Sequence, residues 1–143
     1  MEIQHITTQS EGVSSDVLDE LNDFLFEHLD EFGDKKEDIR KAMDYALNPQ
    51  RGGDLVIGRV GPQIVGAIVI NNTGMEGYIP SHILVYIAVH NGYRGQGIGK
   101  KLMQFILPNL KGGVALHVEP HNPARFLYEK LGFSSKYLEM RRV

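Results

Sequence analysis

The chain has 143 residues, 42% hydrophobic and 23% charged, with a formal net charge of −3. That balance is ordinary for a globular protein and leaves no basic footprint for nucleic acid. With no cysteine, disulfides, thiolate catalysis and thiolate metal sites are excluded, and a cytoplasmic location is expected.

Glu2 to Thr8 alternates enough to form a first strand, and the residues Met1 to His5 lack the basic and apolar regions of a signal peptide. No run approaches the ~20 apolar residues of a membrane span, so no membrane partner is expected. Ser14-Ser15-Asp16 can cap a helix whose apolar face is Val17, Leu18, Leu21, Leu25 and Leu29. Lys35 to Leu47 reads as a second, more charged helix, ended by Asn48-Pro49. Asp54 to Val60 and Gln63 to Ile70 flank Gly61-Pro62 as a hairpin, and Asn71 to His82 is loop-like. Ile83 to Val89 is nearly continuous in apolar residues, as at the centre of a sheet. Gly97 to Leu107 is a helix with Ile98, Leu102, Phe105 and Ile106 on one side. A strand from Val114 to Glu119, a short helix from Asn122 to Leu131 and a last strand or hairpin from Phe133 to Met140 complete the chain. The order β-α-α-β-β-β-α-β-α-β contains a single parallel crossover, from Ile83 to Glu119. The expectation is one domain over residues 1–143, a mixed, mostly antiparallel sheet with helices.

The most informative stretch lies at the junction of the central strand and the following helix. It reads Arg94-Gly95-Gln96-Gly97-Ile98-Gly99-Lys100. Glycines let the backbone approach a ligand, and a helix start offers unpaired N–H groups and a positive dipole end, so the arrangement suits an anion such as a pyrophosphate. A dinucleotide fingerprint fits poorly, although Glu119 lies about where a ribose-binding acid would sit. The third glycine, Gly99, comes one residue early, and too little chain follows for further β-α units. A Walker-type loop fits less well, because Lys101 stands where Ser or Thr must bind magnesium.

The stretch resembles the signature Arg/Gln-x-x-Gly-x-Gly/Ala of the GNAT family of acyl-CoA-dependent N-acetyltransferases. A second block resembling that family runs Asn122-Pro123-Ala124-Arg125-Phe126-Leu127-Tyr128-Glu129-Lys130-Leu131-Gly132-Phe133. One departure is Asn91-Gly92, where many members carry proline and a polar residue. The resemblance implies a GNAT-like mixed α/β (α+β) fold of six to seven strands and about four helices, with the fourth and fifth strands splayed apart. It implies acetyl-CoA as co-substrate. Backbone N–H groups from Gly95 through Gln96, Gly97, Ile98 and Gly99 to Lys100 would wrap the pyrophosphate, with Arg94 adding a charge-assisted contact. The pantetheine arm would pair with the backbone of Ile87 and Val89, and an N–H near Ile87 or Ala88 would polarise the thioester carbonyl. Asn122 reads as a helix cap before Pro123, and by resemblance also touches pantetheine or phosphate.

By the same resemblance, Tyr128 protonates the departing CoA thiolate as general acid. The acceptor amine poses the opposite problem: an alkylamine is mostly ammonium at pH 7, and freeing its lone pair costs about 4.6 kcal/mol. Glu119 and His117, near the end of the second splayed strand, are the leading base candidates, with Tyr86, His82 and Glu76 behind them. The histidines show no metal-ligand spacing, so no metal site is expected. Glu27, Asp30, Glu31, Asp34, Glu37, Asp38 and Asp44 give the first two helices an acidic character that would suit a cationic acceptor, a small molecule or a peptide amine. Without cysteine to carry an acyl group, direct attack of the amine is expected. Many relatives dimerise, so a homodimer is an expectation of the family. A function of another class, a non-catalytic acyl-CoA-binding or sensing module, would keep the glycine motif and dispense with Tyr128.

Overall fold

The structure is a computed structural model that describes residues 1–143. Strand β1 (Glu2–Ile6) leads into helices α1 (Ser15–His28) and α2 (Lys36–Leu47). Strands β2 (Gly53–Val60), β3 (Gln63–Asn72) and β4 (His82–Val89) follow, then α3 (Ile98–Ile106), β5 (Val114–Leu116) and α4 (Ala124–Lys130). The strands form a five-stranded sheet in the order β1-β2-β3-β4-β5. The first three pairings are antiparallel and β4–β5 is parallel. No helix is long and apolar enough to cross a membrane.

Local signals account for the helix boundaries. The Ser14 hydroxyl accepts the Val17 N–H at 3.2 Å, capping α1. Ser14→Ala is expected to cost about 1 kcal/mol of stability, read as a lower midpoint in denaturant with an unchanged slope. Leu21, Phe24, Leu25 and His28 form the buried stripe of α1.

The sheet separates two apolar cores. One lies under α1 and α2, where Leu21, Leu25, Ile39 and Met43 meet Leu55, Ile57, Ala67 and Val69. The other lies under α3 and α4, where Leu102, Met103, Ile106 and Tyr128 meet Val56, Val65, Ile68 and Ile70. Helix α3 approaches closely because β3 carries Gly66; a Cβ there would stand 2.8 Å from Ile98 and Leu102 side-chain atoms.

Two features of the sheet differ from the sequence expectation. The first is that Phe133–Met140 is not a strand, so the sheet has five strands rather than six to seven. Phe133 is anchored by its N–H to the Tyr128 carbonyl (3.0 Å) and by its ring against Tyr128. Beyond it Tyr137, Leu138 and Met140 are 80–89% exposed. A strand needs a ladder to pair with, and the free edge of β5 is only three residues long.

The second is a bulge in β4. Val69 pairs with Tyr86 and Ile70 with Leu84, leaving Val85 as the extra residue. The shift turns Leu84 toward the α3 core and Tyr86 toward the α1–α2 core.

Candidate active site

β4 and β5 pair only from His82↔Val114 to Leu84↔Leu116. From Val85 to Val89 the side of β4 that faces away from β3 has no strand partner. The backbone groups of Ile87 and Val89 on that side are therefore available to an extended ligand. The Ile87 and Val89 side chains pack against the α3 core, and Ala88 packs against the α1–α2 core.

The glycine loop closes the end of this gap. Gly95 and Gly97 have φ of +81° and +76°, a left-handed conformation that favours glycine. A Cβ at either position would meet nothing within 4 Å, so both face open space. Gly97 caps α3, and the Lys101 N–H is the first to bond back, to the Gly97 carbonyl at 3.0 Å. The N–H groups of Ile98, Gly99 and Lys100 are thus left at the helix start without intrahelical partners. A cavity of about 190 Å³ lies here, walled by Val89, Arg94, Gly97, Gly99, Lys100 and Leu127. Gln96 and Asn122 are not among its walls. The Asn122 Oδ1 instead accepts the Ala124 N–H at 2.9 Å, capping α4.

Arg94 is half exposed and already partnered. Its Nη2 donates to Asp30 Oδ2 at 2.8 Å and to the His28 carbonyl at 3.1 Å. Asp30 itself has a positive φ of 52°. That conformation is uncommon outside glycine, although Asp tolerates it better than most. The sequence reading of Arg94 did not foresee this partner, because 64 residues separate the two.

Tyr128 is 7% exposed, on α4, and its hydroxyl makes no hydrogen bond within the chain. Burial, with a smaller contribution from the negative charge of Glu119, pushes its phenol up to about 12. Glu119 also meets the Asn122 side-chain amide at 3.4 Å. The fold thus brings Tyr128, Glu119 and Asn122 into one neighbourhood. His117 is exposed just beyond β5.

Two of the further base candidates are committed elsewhere. The Tyr86 hydroxyl donates to Asp34 Oδ2 at 2.5 Å, and burial followed by that bond holds the phenol far above its usual range. A phenol so held stays protonated and cannot serve as a base. His82 has both ring nitrogens engaged, by Asn72 Oδ1 at 2.9 Å and the Lys111 carbonyl at 2.7 Å. Glu76 lies exposed in the loop before β4. No His, Asp and Glu side chains cluster in a way that could hold a metal ion.

With strand gap, left-handed glycines and open helix start in place, the class of protein is defined by comparison. Residues 51–135 match the family model of the acetyltransferase (GNAT) domain. The chain belongs to the GNAT acetyltransferase family. Its fold is similar to that of a ribosomal-protein-alanine N-acetyltransferase from Brucella melitensis biovar Abortus 2308, with TM-score 0.68 and 16% identity, covering 100% of this chain and 99% of that one. It is also similar to the ribosomal-protein-S18-alanine N-acetyltransferase from Escherichia coli, with TM-score 0.67 and 17% identity over 94% and 80% of the two chains. A Pyrococcus horikoshii OT3 protein gives TM-score 0.66 and 26% identity over 97% and 93%. No curated protein sequence matches the chain.

Proposed function

We propose that residues 1–143 act as one N-acetyltransferase domain that moves an acetyl group from acetyl-CoA to a primary amine by direct attack. The observation that carries this reading is the continuity of the unpaired β4 edge with the glycine cradle. An extended thioester arm and a pyrophosphate need these two surfaces end to end. The fit rests on three features: the open space over Gly95 and Gly97, the free N–H groups at the α3 start, and the unpartnered backbone of Val85 to Val89.

In this reading, acetyl-CoA supplies an acyl group activated as a thioester. Ile98, Gly99 and Lys100 hold its pyrophosphate through backbone N–H groups, with Arg94 close by. Ile87 and Val89 pair with the pantetheine arm, and a backbone N–H near Ala88 polarises the carbonyl. Tyr128 gives its proton to the sulfur as the C–S bond breaks. It is protonated at neutral pH; its raised pKa makes it a weaker acid than a free phenol, so the transfer is driven by the negative charge that develops on sulfur. Glu119 is the favoured base, because its charge acts on Tyr128, while His117 has no contact with Tyr128. The acidic residues Asp30, Glu31 and Asp34 between α1 and α2 favour a cationic acceptor, small molecule or peptide.

The test is an amine panel assayed for released CoA thiol, preceded by thermal-shift measurements. Acetyl-CoA is expected to raise the melting temperature, while NAD and ATP do not; the reverse pattern would refute the cofactor assignment. Arg94→Ala is expected to raise the acetyl-CoA Kd about tenfold, the worth of one charge-assisted hydrogen bond after its exchange from Asp30, measured by calorimetry.

A further inference from the structure

Two histidines meet beneath the start of the glycine loop. His28, the last residue of α1, is only 5% exposed. Its ring lies against that of His90, which directly follows β4; the centroids are 4.2 Å apart and the planes tilted by 31°. Consecutive backbone groups donate to the two rings. The Asn91 N–H reaches His28 Nδ1 at 3.1 Å, and the Gly92 N–H reaches His90 Nδ1 at 2.9 Å. A ring nitrogen that accepts a hydrogen bond carries no proton, so this arrangement requires both imidazoles neutral, with their protons on Nε2.

The remaining contacts lock the same turn. With its proton on Nε2, His90 stands 3.2 Å from Gln63 Nε2, which requires the Gln63 amide turned so that its oxygen accepts from the ring and its nitrogen donates to the Tyr93 hydroxyl; Tyr93 also packs edge-on against His90. The His28 carbonyl accepts from Arg94. One residue of α1 therefore grips the segment at Asn91 with its ring and at Arg94 with its backbone, just before the left-handed glycines. No other polar side chain holds Asn91 and Gly92.

We propose that His28 and His90 are positioning residues that keep the phosphate cradle in its binding shape only while both rings are neutral, so that acetyl-CoA affinity falls with falling pH. The proposal rests on the cofactor reading given above. A proton on either Nδ1 sets one N–H against another and deletes an anchor of the turn. Two charged rings stacked this closely also repel. Imidazole changes charge between about pH 5 and pH 8, within the working range of a protein. Charged groups from the surrounding elements face the pair. Glu20, Asp23 and Glu27 of α1 line a cavity of about 230 Å³ with both rings. The Glu27 carboxylate stands 3.7 Å from His28 Nε2. Arg59 of β2 pairs with Glu20, Lys36 of α2 with Asp23, and Arg94 with Asp30.

The experiment is acetyl-CoA titration by calorimetry on the full chain at about pH 8 and about pH 5.5. Asparagine at either position keeps an acceptor oxygen near the place of Nδ1 but does not titrate. The wild-type Kd is expected to rise at least tenfold on acidification, on the order of one lost hydrogen bond per ring. The double variant His28→Asn/His90→Asn is expected to bind like wild type at the higher pH and to lose most of that slope. What slope remains belongs to the CoA 3′-phosphate, which titrates near pH 6. His28→Leu is expected to bind about tenfold weaker at both pH values. A double variant with the full wild-type slope overturns the proposal, as does His28→Leu with wild-type affinity. His90→Asn alone, at a half-buried position, serves if His28 variants fail to fold.

Amide exchange in the ligand-free chain separates this idea from the cofactor reading. Residues 91–99 are expected to exchange about tenfold faster in His28→Leu than in His28→Asn at equal pH. Equal rates refute the positioning role even where acetyl-CoA binds. If wild type fails to bind acetyl-CoA at all, the cofactor reading falls while the exchange result still decides what the histidines do.

Discussion

Tyr128→Phe is expected to lower kcat by about 10²- to 10⁴-fold while leaving the acetyl-CoA Kd within about twofold. The aromatic ring stays, so the packing of α4 against Phe133 and the α3 core is kept. Only the hydroxyl and the proton it donates are lost, and the thiolate must then leave unprotonated or take a proton from water. The sign of the pH dependence follows from the direction of the shift. Burial and Glu119 push Tyr128 up to about 12, so the acid form persists through the whole neutral and mildly alkaline range. An alkaline fall in kcat below about pH 10 therefore belongs to another group. Wild-type turnover in Tyr128→Phe removes the residue from the mechanism. Full CoA binding with no turnover in either protein, across a broad amine panel, favours an acyl-CoA sensor.

Gly97→Val is expected to weaken acetyl-CoA binding about 100-fold, equivalent to about 2.7 kcal/mol. The substitution meets no steric wall, since a Cβ at Gly97 has open space around it. The penalty is conformational. At a φ of +76° an L residue costs about 1–2 kcal/mol, and a β-branched one costs more. Relief requires the turn to move, and with it the N–H groups at the start of α3. Gly97→Asn is expected to retain far more affinity, because asparagine tolerates the left-handed region. Gly99→Ala separates conformation from packing: its φ is helical, and its Cβ would stand 3.3 Å from Leu127 Cδ2. A Gly97→Val protein that binds like wild type and melts at the same temperature would show that the left-handed turn is not what holds the cofactor.

Much of the glycine-loop end was readable from the chain because its physics is local. The run from Arg94 to Lys100 carries its own conformational demands, and α3 begins where the glycine spacing places it. The Asn122 cap of α4 and the Ser14 cap of α1 are likewise decided within three residues. The hairpin around Gly61-Pro62 and the apolar strand before the glycine run have the same origin. A buried histidine on α1 also left a trace, since His28 continues the stripe of Leu21, Phe24 and Leu25 at helical spacing. Its meaning did not show, because the ring that meets it lies in His90, far along the chain.

Sequence alone was enough for the element order through α4 and for the glycine turn that starts α3, since each depends on backbone preferences within a few residues, and two motif blocks were enough for the family. The choice among bases needed the folded molecule. The bulge at Val85 rotates Tyr86 away to Asp34, and His82 is consumed in bridging Asn72 to Lys111. The fate of Phe133–Met140 was equally out of reach, because a strand exists only where another edge accepts it. Pairing of Arg94 with Asp30, and the imidazole stack beneath the glycine loop, come from contacts spanning 60 residues or more. Such contacts form when two helices and a sheet pack together, and no local pattern of side chains records them.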